Sequence, residues 1–229
     1  MKALRRWNLQ GVANFRDLGG YPCKNGGATR YGIFFRSTHL HHATEEDLKV
    51  LQKAHIDTII DLRYEEEREL SPDRIPEGAL YHHISLMGRV EVKDINVNSS
   101  VVDTRTLHRM YRQILTFGQE EIAKTLNILA NAGTAIYHCA AGKDRTGIIS
   151  MFLLSIADVP KEDIIADYEV SHSYIRDFTS DISGSNYYNM QLVLEFLEKR
   201  YGGAVPYLKA IGIDETTLHT IRSKFILSA

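Results

Sequence analysis

The sequence predicts an α/β fold, a central and mostly parallel sheet flanked by helices, built as one domain across residues 1–229. Three observations point to it. Ile56-Asp57-Thr58-Ile59-Ile60-Asp61-Leu62 reads as a central strand buried on both faces, the pattern of a parallel sheet covered on both sides. Thr134-Ala135-Ile136-Tyr137 is a second β-favouring run, and a short polar loop joins it to Ile148, Ile149, Met151, Phe152, Leu153 and Leu154, apolar on nearly every side as in a buried helix. The length of 229 residues is enough for one compact core and gives no reason to require a second.

The elements follow in order. Residues 8–20 form a turn-rich segment ending in Gly19-Gly20, and Tyr21-Pro22 with Asn25-Gly26-Gly27 marks a hairpin or ordered loop. Within it Arg16-Asp17 reads as a local, structural ion pair, and Cys23 as a loop residue without chemistry. Residues 31–36 form a short strand. The cluster His39, His41 and His42 that follows lacks a carboxylate or thiolate at ligand spacing, so no metal is assigned to it. Thr44 and Asp47 make a capping box for a helix with Leu48 and Leu51 facing inward, ending near His55.

After the central strand, Arg63 emerges at its carboxyl end, the edge where ligands collect in open α/β sheets. Glu65 to Glu69 is the solvated face of a short helix ending before Pro72, and residues 79–84 are another strand. Residues 86–102 have no period and are expected to form a loop or lid over the site. Leu107, Met110, Tyr111, Ile114 and Leu115 then recur at helical spacing, and a second helix carries Ile122, Leu126 and Leu129. Pro160 opens a helix reaching about His172, in which Asp167-Tyr168 serve packing. Residues 179–185 are a loop, residues 187–201 a helix stopped by Gly202-Gly203, and Ile213 and Leu218 staple the last helix around Asp214.

Lys+Arg 27 against Asp+Glu 29 gives a formal charge of −2, which argues against broad attraction to nucleic acid or an anionic membrane surface. Any positive site must be local. The most apolar segment, residues 148–159, is interrupted by Ser150, Ser155 and Asp158 and is shorter than the ~20 residues of a membrane span, and the N-terminus lacks a secretory h-region. A cytoplasmic protein without integral membrane association is expected. Pairing the two cysteines, Cys23 and Cys139, would consume the reactive one, so a reducing compartment fits better than a disulfide.

The chemistry is concentrated in His138-Cys139-Ala140-Ala141-Gly142-Lys143-Asp144-Arg145-Thr146-Gly147. Lying between strand and helix, this loop places unpaired amides and about half a unit of positive charge at a helix start, where anions bind. Gly142 lets the backbone bend closely round a ligand, and Arg145 adds a planar fork suited to two phosphate oxygens. A free thiol with pKa of about 8.5 is only ~3% thiolate at pH 7, whereas helix N-termini and cations bring reactive cysteines down to roughly 3.5–7.5. The same groups would therefore bind phosphate and activate Cys139. A buried structural cysteine would not explain the adjoining charges, and a Walker-type nucleotide loop would need an earlier glycine.

Cys139-x5-Arg145-Thr146, preceded by His138, resembles the signature loop of cysteine-dependent protein tyrosine phosphatases. The longer His-Cys-x-x-Gly-Lys-Asp-Arg-Thr-Gly form is similar to that of the atypical bacterial and fungal tyrosine or dual-specificity phosphatases, some of which act on phosphoinositides. Residues Asn14-Phe15-Arg16-Asp17-Leu18-Gly19-Gly20 and Asp61-Leu62-Arg63 extend the resemblance over most of the chain. It implies a tyrosine-phosphatase-like fold and metal-free, cofactor-free hydrolysis of a phosphorylated protein or phosphoinositide.

In that reading Cys139 is the nucleophile, Arg145 and the amides of Ala140, Ala141, Gly142 and Lys143 hold phosphate oxygens, Thr146 donates to the departing thiolate, and His138 orients the Cys139 backbone. The resemblance also places the motif around Arg16 beside the loop. The Trp-Pro-Asp acid loop of other tyrosine phosphatases is missing, since the only tryptophan, Trp7, precedes Asn8. Asp144 is the first candidate for the general acid, with Asp103 and Asp61 as alternatives. Lys143 would neutralise a further phosphate if it faces the pocket. The competing class is a catalytically silent phosphate-recognition module; arsenate reduction or sulfur transfer would call for a resolving cysteine, and none is evident nearby.

Overall fold

A computed structural model describes residues 4–87, 104–175 and 186–227. Its chain begins with strands β1 (Arg16–Asp17), β2 (Ala28–Thr29) and β3 (Phe34–Ser37), helix α1 (Glu45–Lys53), β4 (Thr58–Asp61), α2 (Glu65–Leu70) and β5 (Leu80–His83). Then come α3 (Thr104–Phe117), α4 (Gln119–Asn131), β6 (Ala135–His138), α5 (Asp144–Ile156), α6 (Lys161–Glu169) and α7 (Ser171–Ile175). The chain continues through α8 (Tyr187–Tyr201), α9 (Ala204–Ala210), α10 (Glu215–Phe225) and β7 (Ile226–Leu227).

The main sheet has the order β1-β3-β6-β4-β5, parallel except for the antiparallel edge strand β1. The fold class is therefore the one the strand pattern predicts. β6 comes last of the parallel strands in sequence yet fills the slot between β3 and β4. In register, Ser37, His138 and Asp61 lie side by side at the carboxyl edge. The loop after β6 is thus flanked by the segments leaving both neighbours.

Alternate residues of the central strands enter opposite cores. Phe34, Ile60 and Tyr137 pack with α5 on one face, while Phe35, Ile59 and Ile136 pack with Leu51 of α1 on the other. Phe15 stacks on Phe35 at 5.3 Å in the second cluster. From Thr146 to Leu154 α5 is buried at every position, as expected of a helix apolar on all sides. α1 opens with the predicted Thr44–Asp47 capping box, and Gly202 closes α8 at φ +80°.

Several expectations need correction. Arg16 does not pair with Asp17: its guanidinium reaches Asp167 at 2.9 Å, and Asp17 instead accepts the Gly19 and Gly32 amides. Asp167 consequently does more than pack. Arg63 does not emerge into solvent but is buried between Asp61 and Asp73. α9, β2 and β7 were not legible as elements; two-residue strands are too short for a period to register. Of the predicted lid, Leu86 and Met87 are buried in the core, and residues 88–102 lie outside the described residues, as does the loop at 179–185.

Candidate active site

The loop from Cys139 to Lys143 sits where β6 ends and α5 begins. Its carbonyls are pulled outward by the surrounding protein. Asn14 Nδ2 donates to Ala141 O at 3.2 Å and Gly142 O at 2.8 Å, and Arg36 Nη2 donates to Gly142 O at 2.7 Å and Lys143 O at 3.2 Å. The His39 amide donates to Ala140 O at 3.1 Å. The carbonyls of Ala140, Ala141, Gly142 and Lys143 are thus each engaged by a donor from outside the loop. Gly142 has φ +63°, and a Cβ there would lie 2.0 Å from Ser37 O, so backbone passes against backbone and glycine is required.

A buried ionic group stands behind that support. Asp167 accepts from Arg16 Nε at 2.9 Å, Arg36 Nη1 at 2.7 Å and the Tyr21 hydroxyl at 3.1 Å, and Arg16 also donates to Asn14 Oδ1. Burial pushes the Asp167 carboxyl up, but the two guanidiniums outweigh it and hold it at about 2. Asn14 takes up φ +56°, a left-handed conformation that asparagine tolerates better than most residues. Asn14 belongs to the motif that the resemblance placed beside the loop, whereas Arg36 and Asp167 are parts of the site that sequence reasoning missed.

On the other side of β6 lies a second ionic group. Arg63 Nη2 is 2.7 Å from both Asp61 Oδ2 and Asp73 Oδ2, and His138 Nε2 is 3.2 Å from Asp73 Oδ2. Burial lowers His138, yet Asp73 and Asp61 more than compensate and raise it. Asp61, Asp73 and His138 have ligand atoms within 4.8 Å of one another, but Arg63 already places its guanidinium between the carboxylates. That leaves no anionic demand for a metal. Asp61 is fully buried and held ionised by Arg63, so it is not placed to donate a proton; Asp103 lies outside the described residues.

Cys139 is 3% exposed at the base of the loop. Burial pushes its thiol up, but the Arg145 guanidinium and the Thr146 hydroxyl and amide bring it below its ordinary value, against a smaller opposing effect of Asp144. Arg145 is tethered by Glu67 through two contacts, Nη1 to Oε2 at 2.5 Å and Nη2 to Oε1 at 2.8 Å, and lies 4.9 Å from the centre of the Tyr64 ring. Glu67 is therefore not part of a solvated face. Lys143 is also buried rather than solvated, with Nζ 3.6 Å from Asp144 Oδ2. Asp144, the first residue of α5, has a side chain 20% exposed and accepts from the Tyr111 and Tyr168 hydroxyls.

The arrangement thus brings together Cys139, Ala140, Ala141, Gly142 and Lys143 of the loop with Asp144, Arg145 and Thr146 of the first turn of α5, the Arg145 charge acting on the Cys139 thiol. Comparison with known proteins gives the family of the chain. A family model described as "Tyrosine phosphatase family" matches residues 7–227. A tyrosine-protein phosphatase of Nostoc commune is 31% identical over 82% of this chain and 72% of its own. The triple specificity protein phosphatase PtpB of Mycobacterium tuberculosis is 27% identical over 76% of this chain and 72% of its own. Among solved structures, the Siw14 catalytic core shows a distant likeness only, with TM-score 0.42 at 15% identity over 89% of this chain and 92% of that one. With a match that runs from Trp7 to Leu227 and takes in both the loop and its supports, the chain belongs to the tyrosine phosphatase family.

Proposed function

We propose that this chain hydrolyses phosphate monoesters through a phosphocysteine intermediate, without metal or cofactor, as a single catalytic domain acting on phosphotyrosine in a reducing compartment. The observation that carries this reading is the position of Cys139, buried between the end of β6 and the start of α5, where burial pushes its thiol up but Arg145 and Thr146 bring it below its ordinary value. In the first step Cys139 Sγ bonds to phosphorus as the P–O bond to the leaving group breaks, and Asp144 gives that oxygen a proton. In the second, water bonds to phosphorus, the P–S bond breaks, and Asp144 takes the water's proton. Arg145 and the amides of residues 140–145 stabilise charge on the equatorial oxygens in both.

Phosphoserine, phosphothreonine and phosphoinositides are included in the proposed range. The named triple specificity of one relative points that way, as does Lys143, a second cation within the loop. A charge-assisted contact away from water contributes roughly 1.5–3 kcal/mol, against about 0–1 for an exposed pair. Lys143→Ala should therefore lower kcat/KM for a phosphoinositide about ten-fold or more beyond its effect on a phosphotyrosine peptide. An unchanged ratio would remove Lys143 from substrate selection.

The central test is hydrolysis of p-nitrophenyl phosphate in the presence of a chelator. Wild-type protein should turn over, and Cys139→Ser should lose turnover while still binding inorganic phosphate. Phosphate binding by the wild type without turnover would instead make the chain a recognition module.

A further inference from the structure

We propose that Tyr111 and Tyr168 are positioning residues for the general acid: together they hold Asp144 Oδ1, so that Oδ2 is the oxygen presented for proton transfer. The proposal rests on the reading of Asp144 as that acid. Tyr111 comes from α3 and Tyr168 from α6, two helices separate from the loop, and their hydroxyls lie 2.6 Å apart. Both meet the same carboxylate oxygen, Tyr168 at 3.2 Å and Tyr111 closer. Two hydroxyls carry two protons. One can pass along Tyr168 to Tyr111 while the other reaches Oδ1, or both can be donated to Oδ1; in either case that oxygen is taken.

Both rings are 1% exposed. Burial first, then the Asp144 charge, raises both phenols well above their ordinary value, so each keeps its proton over the whole working pH range. Among the described residues, the other charged or titratable groups facing Asp144 are Lys143, 3.6 Å from Oδ2, and the Cys139 thiol. An aspartate carboxyl rotates in a broad, roughly two-fold well, so in water either oxygen serves. Here the tyrosines remove that choice.

The sequence makes room for this arrangement. A Cβ on Gly147 would come to 3.0 Å from the Tyr168 ring, so glycine in the first turn of α5 leaves that ring room to lie close against the helix. The same Tyr168 hydroxyl faces the side chain of Asn189 of α8, whose Oδ1 is 3.2 Å from His108 Nε2 of α3. The acid is thereby referenced to three helices that lie outside the phosphate loop.

The test uses kcat/KM for two substrates. Phenyl phosphate releases a phenol with pKa of about 10, as for tyrosine, and needs the acid; p-nitrophenyl phosphate releases a far more acidic phenol and needs it less. Asp144→Asn should lose more on phenyl phosphate. Tyr111→Phe and Tyr168→Phe, which keep ring packing, should each lose about ten-fold more on phenyl phosphate than on p-nitrophenyl phosphate, and should add no further loss in an Asp144→Asn background. Inorganic phosphate binding checks that each variant is folded. Equal losses on both substrates in the tyrosine variants, with the discrimination kept in Asp144→Asn, would overturn the proposal. Equal losses in Asp144→Asn itself would overturn the acid reading, and the proposal with it.

Discussion

In the proposed reaction Arg145 serves the thiolate and the phosphate at once, and its tether to Glu67 fixes how it can do so. A guanidinium held by two contacts to one carboxylate cannot swing, so its remaining N–H groups keep a fixed direction. Arg145→Lys retains the charge but loses the fork, and should lower kcat/KM by about 10²–10³, the cost of removing one oriented donor from a charge-developing site. Activity near wild type in that variant would show that the loop amides suffice. At this scale the sequence was most legible where function depends on local order. Cys139, Arg145 and Thr146 are close because α5 starts there, and spacing alone places them. Glu67 was read as solvated because its partner is 78 residues away, and nothing in the run Glu65 to Glu69 marks which carboxylate turns inward.

The phosphate loop is an element whose shape is imposed from outside. Asn14 provides a clean way to probe this, because its two ends do different jobs: Nδ2 donates to the carbonyls of Ala141 and Gly142, and Oδ1 accepts from Arg16. Asn14→Asp keeps the size and the acceptor but turns the donor into a second anion facing two carbonyls. Ala141 O then loses its Asn14 donor while Gly142 O keeps Arg36, and an acceptor left unsatisfied costs about 1–3 kcal/mol, so inorganic phosphate should bind roughly ten-fold or more weakly. An unchanged phosphate Kd would show that the loop holds its own conformation. The parallel strands and most of the helices, α9 excepted, were readable from apolar period, capping and the Gly202 stop. The supports were not, since Arg16 and Asp167 meet across 151 residues of sequence and neither has a local pattern that names the other.

Taken as a whole, the molecule carries buried charge on both sides of its central strand, and the pH dependence of its stability follows from how each group is held. Asp167 has its folded pKa lowered to about 2, so its contribution is present above the unfolded value of about 3.9 and is lost as pH falls toward 2. A shift of that size corresponds to about 2–3 kcal/mol. Asp61, held down by Arg63 and His138 against its burial, acts in the same direction. Asp17 acts oppositely: burial raises it to about 6 despite the Gly32 and Gly19 amides, so its contribution is full below about 4 and declines as pH rises through 6. His138 is raised by Asp73 and Asp61, and what it adds is lost as pH rises above its ordinary value of about 6.5. These signs place the maximum of Tm on the acid side of neutral, with a steep fall below about pH 4. Asp167→Asn should lower Tm and flatten that acid limb, because it leaves Arg16 and Arg36 without their carboxylate at every pH. Asp17→Asn should remove the slope between about pH 4 and 6 and leave the acid limb in place. Thermal unfolding followed across this range separates the two, and an acid limb that persists in Asp167→Asn would assign it to Asp61 or to surface carboxylates instead.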